Sequence, residues 1–156
     1  MMKIRKMKSK DVTIVAELIK RNFDEIMSQY HSNEVIEKIK NLNTREKLLP
    51  QMDWKEIYVV EINDEVVATG ALANFGNGET PKYSISNFFV KPELHGQGIG
   101  RKLFSHLLEV FKSKNVKYLH VPSSRNAVKF YEKMGFVQDL EQKDLHDEIT
   151  WMTLKI

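Results

Sequence analysis

The 156-residue sequence contains no cysteine, which excludes disulfides and thiolate chemistry and is compatible with a reducing compartment. It also has little charge of one sign, with 24 Lys and Arg against 21 Asp and Glu and a formal net charge of +3. So small an excess offers no basic strip for a nucleic-acid backbone, and a mixed solvated surface is expected. No apolar run approaches the roughly 20 residues of a membrane span, and the first residues lack the apolar core of a signal peptide. The expectations are no membrane, no nucleic acid and a cytoplasmic location. Linkers, internal repeats and low-complexity segments are missing too. One domain over residues 1–156 is expected, large enough for a core without staples.

What is present is a strand, glycine turn and helix between Asn87 and Lys114. The apolar run Phe88 to Val90 ends at Pro92, which has no N–H for a ladder. Gly96, Gly98 and Gly100 follow at every second position, and Ile99, Leu103, Leu107, Val110 and Phe111 then recur at helical spacing. Glycines let a backbone approach a ligand closely, and a helix start presents unpaired N–H groups at its positive dipole end. Such a turn suits a phosphate or pyrophosphate, although a plain glycine-rich connection has the same letters. No Gly-Lys-Ser/Thr follows, so there is no P-loop lysine, and the dinucleotide spacing G-x-G-x-x-G is absent.

Elsewhere the pattern alternates between periods. Residues 2–7 read as a short strand around Ile4. Ser9 or Asp11 can cap a helix whose stripe is Val12, Val15, Ala16, Ile19 and Phe23. A second helix starts near Ser32 with Val35, Ile36 and Ile39 on one face; Asn41 to Thr44 interrupt it, Arg45 to Leu49 resume, and Pro50 is expected to stop it. Asp24, Glu25, Gln29, Tyr30 and His31 read as a solvated face. Ile57 to Ile62 is a buried strand, Asn63-Asp64-Glu65 a turn, and Val66 to Ala73 the hairpin partner, with Gly70 marking a bulge. Asn74 to Pro81 is the loosest loop before the strand Tyr83 to Val90. Val116 to Val121 is a further strand. Ser123 or Ser124 can cap a short helix that ends at Gly135, and Phe136 to Glu141 with Ile149 to Ile156 form a terminal pair around a polar loop, Gln142 to Glu148.

Two segments carry a resemblance. Val90, Pro92, His95, Gly98, Ile99, Gly100 and Leu103 resemble the acetyl-CoA motif of the GNAT superfamily of N-acetyltransferases, V-x-P, a spacer, then Arg/Gln-x-x-Gly-x-Gly/Ala, with His95 in place of the Arg or Gln. Ala127, Phe130, Tyr131, Gly135 and Phe136 resemble the family's N-x-x-A-x-x-F-Y-x-x-x-G-F, with Ser124 where the Asn would stand. Together they span Val90 to Phe136; over residues 1–50 the likeness is thin.

The resemblance implies an α/β GNAT-like fold, a mixed and mostly antiparallel central sheet splayed between its fourth and fifth strands, with helices on both faces. It implies acetyl-CoA as co-substrate, entering the opening as an extra strand would. In that reading the backbone of Phe88, Phe89 and Val90 holds the pantetheine arm, and His95, Gly96, Gln97, Gly98, Ile99, Gly100 and Arg101 hold the pyrophosphate. Ser124 takes the place of the Asn that contacts the arm. Charge-assisted bonds of this kind contribute on the order of 1.5–3 kcal/mol each. No metal is expected. The acceptor would be a small-molecule or peptide amine, and a homodimer is one expectation the family brings.

An amine must lose its proton before it attacks a thioester, and for a free lysine that costs ~4 kcal/mol at pH 7. Tyr131 matches the family's general acid for the departing thiolate; a buried Tyr in the core is the plainer reading. The strand Tyr83 to Val90 lacks the Glu that often serves as base. His120 is the titratable group of suitable range nearby, unless its face of the strand points away. Three functions remain in play: an N-acetyltransferase, a non-catalytic acyl-CoA-binding domain that the missing Glu would suit, and a nucleotide or nucleic-acid module that the charge disfavours.

Overall fold

The computed structural model describes residues 1–144 and 148–156, with residues 141–144 described for their backbone. Among the described residues seven strands form one sheet in the order β1-β2-β3-β4-β5-β7-β6. They are β1 (Met2–Lys6), β2 (Lys55–Ile62), β3 (Glu65–Asn74), β4 (Tyr83–Val90), β5 (Tyr118–Ser123), β6 (Val137–Asp144) and β7 (Ile149–Lys155). Every neighbouring pair is antiparallel except β4 and β5. The helices are α1 (Val12–Glu25), α2 (Asn33–Asn41), α3 (Arg45–Gln51), α4 (Ile99–Lys112) and α5 (Val128–Lys133).

The near-continuous apolar run of β2 reflects burial on both faces. Ile57 and Val59 pack with Val15, Ile19, Phe23, Ile36 and Leu48 beneath α1, α2 and α3. Tyr58 and Val60 join Leu103, Phe104, Leu107 and Phe111 of α4 on the other face. Alternation along a strand sends successive side chains to opposite layers, so the helices cover both sides. Among the described residues no helix is long and apolar enough to cross a membrane.

Several local expectations are corrected. The β2–β3 turn has two residues, Asn63 and Asp64, both at positive φ (51° and 64°), and Glu65 already pairs with Ile62. That is the twist-matched form of a tight hairpin. Pro50 lies inside α3, and helix bonding continues past it, Met52 N–H donating to Leu49 O at 3.2 Å. The sacrificed N–H is a single bond close to the helix end. Asp11 does not cap α1 with its side chain. Its carboxylate receives the Arg5 guanidinium at 2.7 and 3.0 Å and the Lys8 N–H at 2.7 Å. Asn74 to Pro81 is internally tied, with Asn74 Oδ1 accepting from Gly76 N–H and Lys82 N–H, and Asn77 Oδ1 from Glu79 N–H and Thr80 N–H. The strand β6 runs on to Asp144, into the stretch expected to be loop, and residues 145–147 of that stretch lie outside the described residues.

The bulge lies opposite Gly70, on β4. Two steps along β3, from Thr69 to Ala71, face three along β4, from Phe89 to Ser86. The extra residue includes Asn87 at φ 50°, so Ile85 and Phe88 face the α4 layer although they are three apart, while Phe89 packs under α1. Gly70 is required by close approach. A Cβ there would stand 2.9 Å from Phe88 Cδ2, 3.1 Å from a Leu103 methyl and 3.2 Å from a Leu107 methyl.

Candidate active site

The parallel strands β4 and β5 pair only at Tyr83 with Leu119 and Ser84 with His120, then part. From Ile85 onward β4 has no ladder partner on that side among the described residues. Between the diverging strands lies a cavity of about 710 Å³. Ser84, Ser86 and Phe88 line it from β4, Val121 and Ser123 from β5, and Tyr131 from α5. Ser124, at the entrance to the 3-10 turn Arg125–Ala127, also lines it; it makes no side-chain capping bond there.

At the far end of β4 the chain turns through Gly96 (φ 79°) and Gly98 (φ 86°) into α4. Gly98 is the N-cap in the left-handed region, which a residue with a Cβ enters only at a cost. The first helical N–H groups, at Ile99, Gly100 and Arg101, have no intrahelical acceptor, since helical bonding begins where Lys102 N–H donates to Gly98 O at 3.2 Å. Gln97 and Arg101 are exposed beside them, and Ile99 is buried under the turn. The turn can therefore take an anion.

His95 is turned elsewhere. Its Nε2–H donates to Val90 O at 2.8 Å, and Asn22 Nδ2 donates to the same oxygen at 2.9 Å. Two donors use both lone pairs of that carbonyl. His95 thus ties the strand end to the turn, and the Val90 carbonyl has no acceptor capacity left for a ligand amide.

Tyr131 is 4% exposed and sits in an aromatic cluster, 5.2 Å from Phe130, 5.5 Å from Phe136 and 6.2 Å from Phe88 between ring centroids. Its hydroxyl has no hydrogen-bond partner among the described residues, and burial pushes the phenol well above its ordinary pKa. The group therefore holds its proton at neutral pH. His120 is not among the residues lining the cavity. Its Nδ1 lies 3.0 Å from Thr153 Oγ1 on β7, and burial, aided by the charge of Lys82, lowers its pKa. It is the register partner of Ser84, which does line the cavity.

On the opposite wall stands a group the sequence reading missed. Lys55, the first residue of β2, donates from Nζ to Ser86 Oγ at 2.9 Å and to Asn87 Oδ1 at 3.0 Å. The ammonium lies 5.0 Å from the Trp54 ring and 5.6 Å from the Phe75 ring, within cation–π range. Burial lowers its pKa to about 8. The polar residue at a strand start carries no local signal; only the half-exposed Trp54 beside it, in Asp-Trp-Lys, is unusual for a solvated turn.

A second missed group braces the far wall. Arg125 N–H donates to His31 Nε2 at 3.1 Å, which leaves the proton on Nδ1 to donate to Glu148 Oε1 at 3.0 Å. Ser32 N–H donates to the same Oε1 at 2.8 Å. These bonds lower Glu148 to about 2, and burial lowers His31. His31, expected on a solvated face, is a buried link between the α1–α2 connection, Glu148 just before β7, and the turn that Ser124 enters.

The same architecture recurs among solved structures. The PaiA N-acetyltransferase of Thermoplasma acidophilum, solved with coenzyme A, is 20% identical with a TM-score of 0.84, over 100% of this chain and 99% of that one. A GCN5-related N-acetyltransferase of Rhodopseudomonas palustris is 19% identical with a TM-score of 0.81, over 99% and 95%. A predicted acetyltransferase of Clostridium acetobutylicum, solved with acetyl-CoA, is 23% identical with a TM-score of 0.70, over 93% and 96%. At such identities the likeness speaks for the fold. The family follows from sequence, because the acetyltransferase (GNAT) domain matches residues 24–156. With well over half of its length matched and its sheet splayed in this way, the chain belongs to the GNAT acetyltransferase family.

Proposed function

We propose that this chain is a single-domain N-acetyltransferase that moves the acetyl group of acetyl-CoA to a primary amine by direct attack. The observation that carries the reading is the splay of β4 from β5, which leaves an unpaired β4 edge beside a cavity with Tyr131 in its wall, while β4 leads on to the anion-ready turn at Gly96–Arg101. The neighbours solved with coenzyme A or acetyl-CoA support it. Acetyl-CoA would supply the thioester carbonyl, a C–N bond forming as the C–S bond breaks.

The chain's own residues then have distinct tasks. N–H groups of Ile99, Gly100 and Arg101 hold the pyrophosphate. The β4 edge at Phe88 pairs with the pantetheine amides, and Ser124 meets the arm near β5. The Tyr131 hydroxyl gives its proton to the departing sulfur and is reloaded by the proton the amine nitrogen sheds. A different proton, the one the ammonium must lose before its nitrogen attacks, leaves through water in the cavity or through His120, which is the general base of this reading by way of a bridging water. The absence of any Asp or Glu among the described lining residues favours the second reading, an acyl-CoA-binding domain without turnover.

Thermal melting with acetyl-CoA, NAD and ATP tests the first step. Acetyl-CoA at 100 times its dissociation constant should add about 2.7 kcal/mol. A shift with NAD or ATP and none with acetyl-CoA would reject the cofactor. Thiol release in the presence of an amine panel separates transferase from binder.

A further inference from the structure

The cavity's charged lining is of one sign. Lys55 and Lys82 both face it, and no Asp or Glu does among the described residues. Lys82 Nζ lies 5.2 Å from the Trp151 ring, and Lys55 is flanked by Trp54 and Phe75. We propose, building on the transferase reading above, that the acceptor is a small amine that also carries a carboxylate and an apolar body, with Lys55 as the counter-ion of that carboxylate.

The support for Lys55 is a built network. Asn87 Nδ2 donates to Asn43 Oδ1 at 2.8 Å and contacts Gln51 Oε1 at 3.3 Å, which fixes the amide so that its oxygen meets Lys55. Gln51 is itself held by Nε2 donating to Leu42 O at 3.0 Å. Ser86 Oγ donates to Asn87 Oδ1 at 2.8 Å while it accepts from Lys55. All these acceptors are neutral. An ammonium has three N–H donors, and two are used, so one donor and a whole positive charge remain without a carboxylate among the described residues. Removing a cation from water is costly unless an anion joins it, and an uncompensated one in a cavity marks where an anionic group binds. Burial brings Lys55 to about 8, which keeps it mostly cationic at pH 7.

The apolar body follows from the walls. Trp54 and Phe75 are 50% and 53% exposed, their rings packed edge to face at 5.2 Å, and Leu42 and Ile39 add apolar lining to the same cavity. Aromatics held that way on a cavity rim contribute contact area at low entropic cost. A polycationic acceptor would meet two like charges and no described opposite one, which disfavours it.

The test is thiol release at pH 7 with acetyl-CoA and matched acceptors: phenylalanine and leucine, their carboxamides, and spermidine. The free acids should exceed their amides by about tenfold or more in kcat/KM, as expected where a site pairs with a group the analogue lacks. Lys55→Met should bring that ratio close to one, chiefly through KM for the acids, with acetyl-CoA affinity by calorimetry retained. Lys55→Arg should preserve part of the preference. Spermidine or the amides used best, an unchanged ratio in Lys55→Met, or equal loss with acids and amides would each overturn the proposal. The same holds if acetyl-CoA binds and no member of the panel turns over. Failure to bind acetyl-CoA would instead remove the transferase reading. Should Lys55→Met not fold, Lys55→Gln, which keeps a donor for Ser86 and Asn87 without the charge, takes its place, and a parental acid-to-amide ratio in that variant overturns the proposal.

Discussion

Gly70→Ala is expected to weaken both the fold and the cofactor site. Gly70 of β3 pairs with Tyr58 of β2 and lies beneath α4, opposite the β4 bulge. Its new Cβ would meet Phe88 Cδ2 at 2.9 Å, closer than real carbon contacts, and fully buried Leu103 and Leu107 at 3.1 and 3.2 Å. Both leucines are packed on all sides, so the half-buried Phe88 ring must move. Overpacking of this size costs about 1–3 kcal/mol. The backbone is not in the left-handed region, so alanine also gains about 0.4–1 kcal/mol by restricting the unfolded chain. The net loss is then about 0–2.6 kcal/mol, with a middle value of ~1.3 kcal/mol that corresponds to roughly 3–5 °C in Tm for a chain of this size. Phe88 touches Phe130 and Tyr131 at ring separations of 5.8 and 6.2 Å, so its displacement should also raise the Kd for acetyl-CoA. Differential scanning calorimetry and titration calorimetry read the two effects. Gly78→Ala is the control, since nothing lies within 4 Å of a Cβ there. A Gly70→Ala protein as stable as the parent, with unchanged affinity, would show that this contact does not set the position of Phe88.

Gly98→Val places a branched side chain at φ 86° and should cost roughly 1–2 kcal/mol of stability, with a severe loss of acetyl-CoA affinity; affinity within twofold of the parent would move the anion site elsewhere. Tyr131→Phe keeps the ring cluster and removes the hydroxyl, so turnover should fall by roughly 10²–10⁴-fold at unchanged acetyl-CoA affinity, and full activity would discard the general acid. Stability should fall with pH in two stages. His31, lowered from 6.5 by burial, favours its neutral form in the fold, so its contribution fades below about 6.5; Glu148, lowered from 4.5 to about 2, adds stability above 4.5 that is lost as pH falls toward 2. Denaturant melts of Glu148→Gln from pH 7 to 3 should lack the lower stage, and an unaltered profile would refute its assignment.

The strand, glycine turn and helix of residues 87–114 were legible from sequence because each depends on neighbours. Pro92 ends a ladder by lacking an N–H, Gly98 alone among common residues enters φ 86° freely, and the stripe Ile99, Leu103, Leu107 and Phe111 follows helical spacing into the core. The splay between β4 and β5 came with the family resemblance, as did Tyr131, and the structure sets Tyr131 in the cavity wall.

What depends on pairs distant in sequence was out of reach. His31 meets Glu148 across 117 residues, Lys55 meets Ser86 across 31, and Asn22 meets Val90 across 68. The bulge at Asn87 shows why. One extra residue on β4 shifts the alternation, sending Phe88 toward α4 and Phe89 toward α1, while Ser86 and Asn87 turn their polar atoms to Lys55. Local chemistry sets period and turns, and so it determined the elements and the anion-ready helix start. The register of one strand against another decides which side chains share a cavity, and only the tertiary structure fixed that.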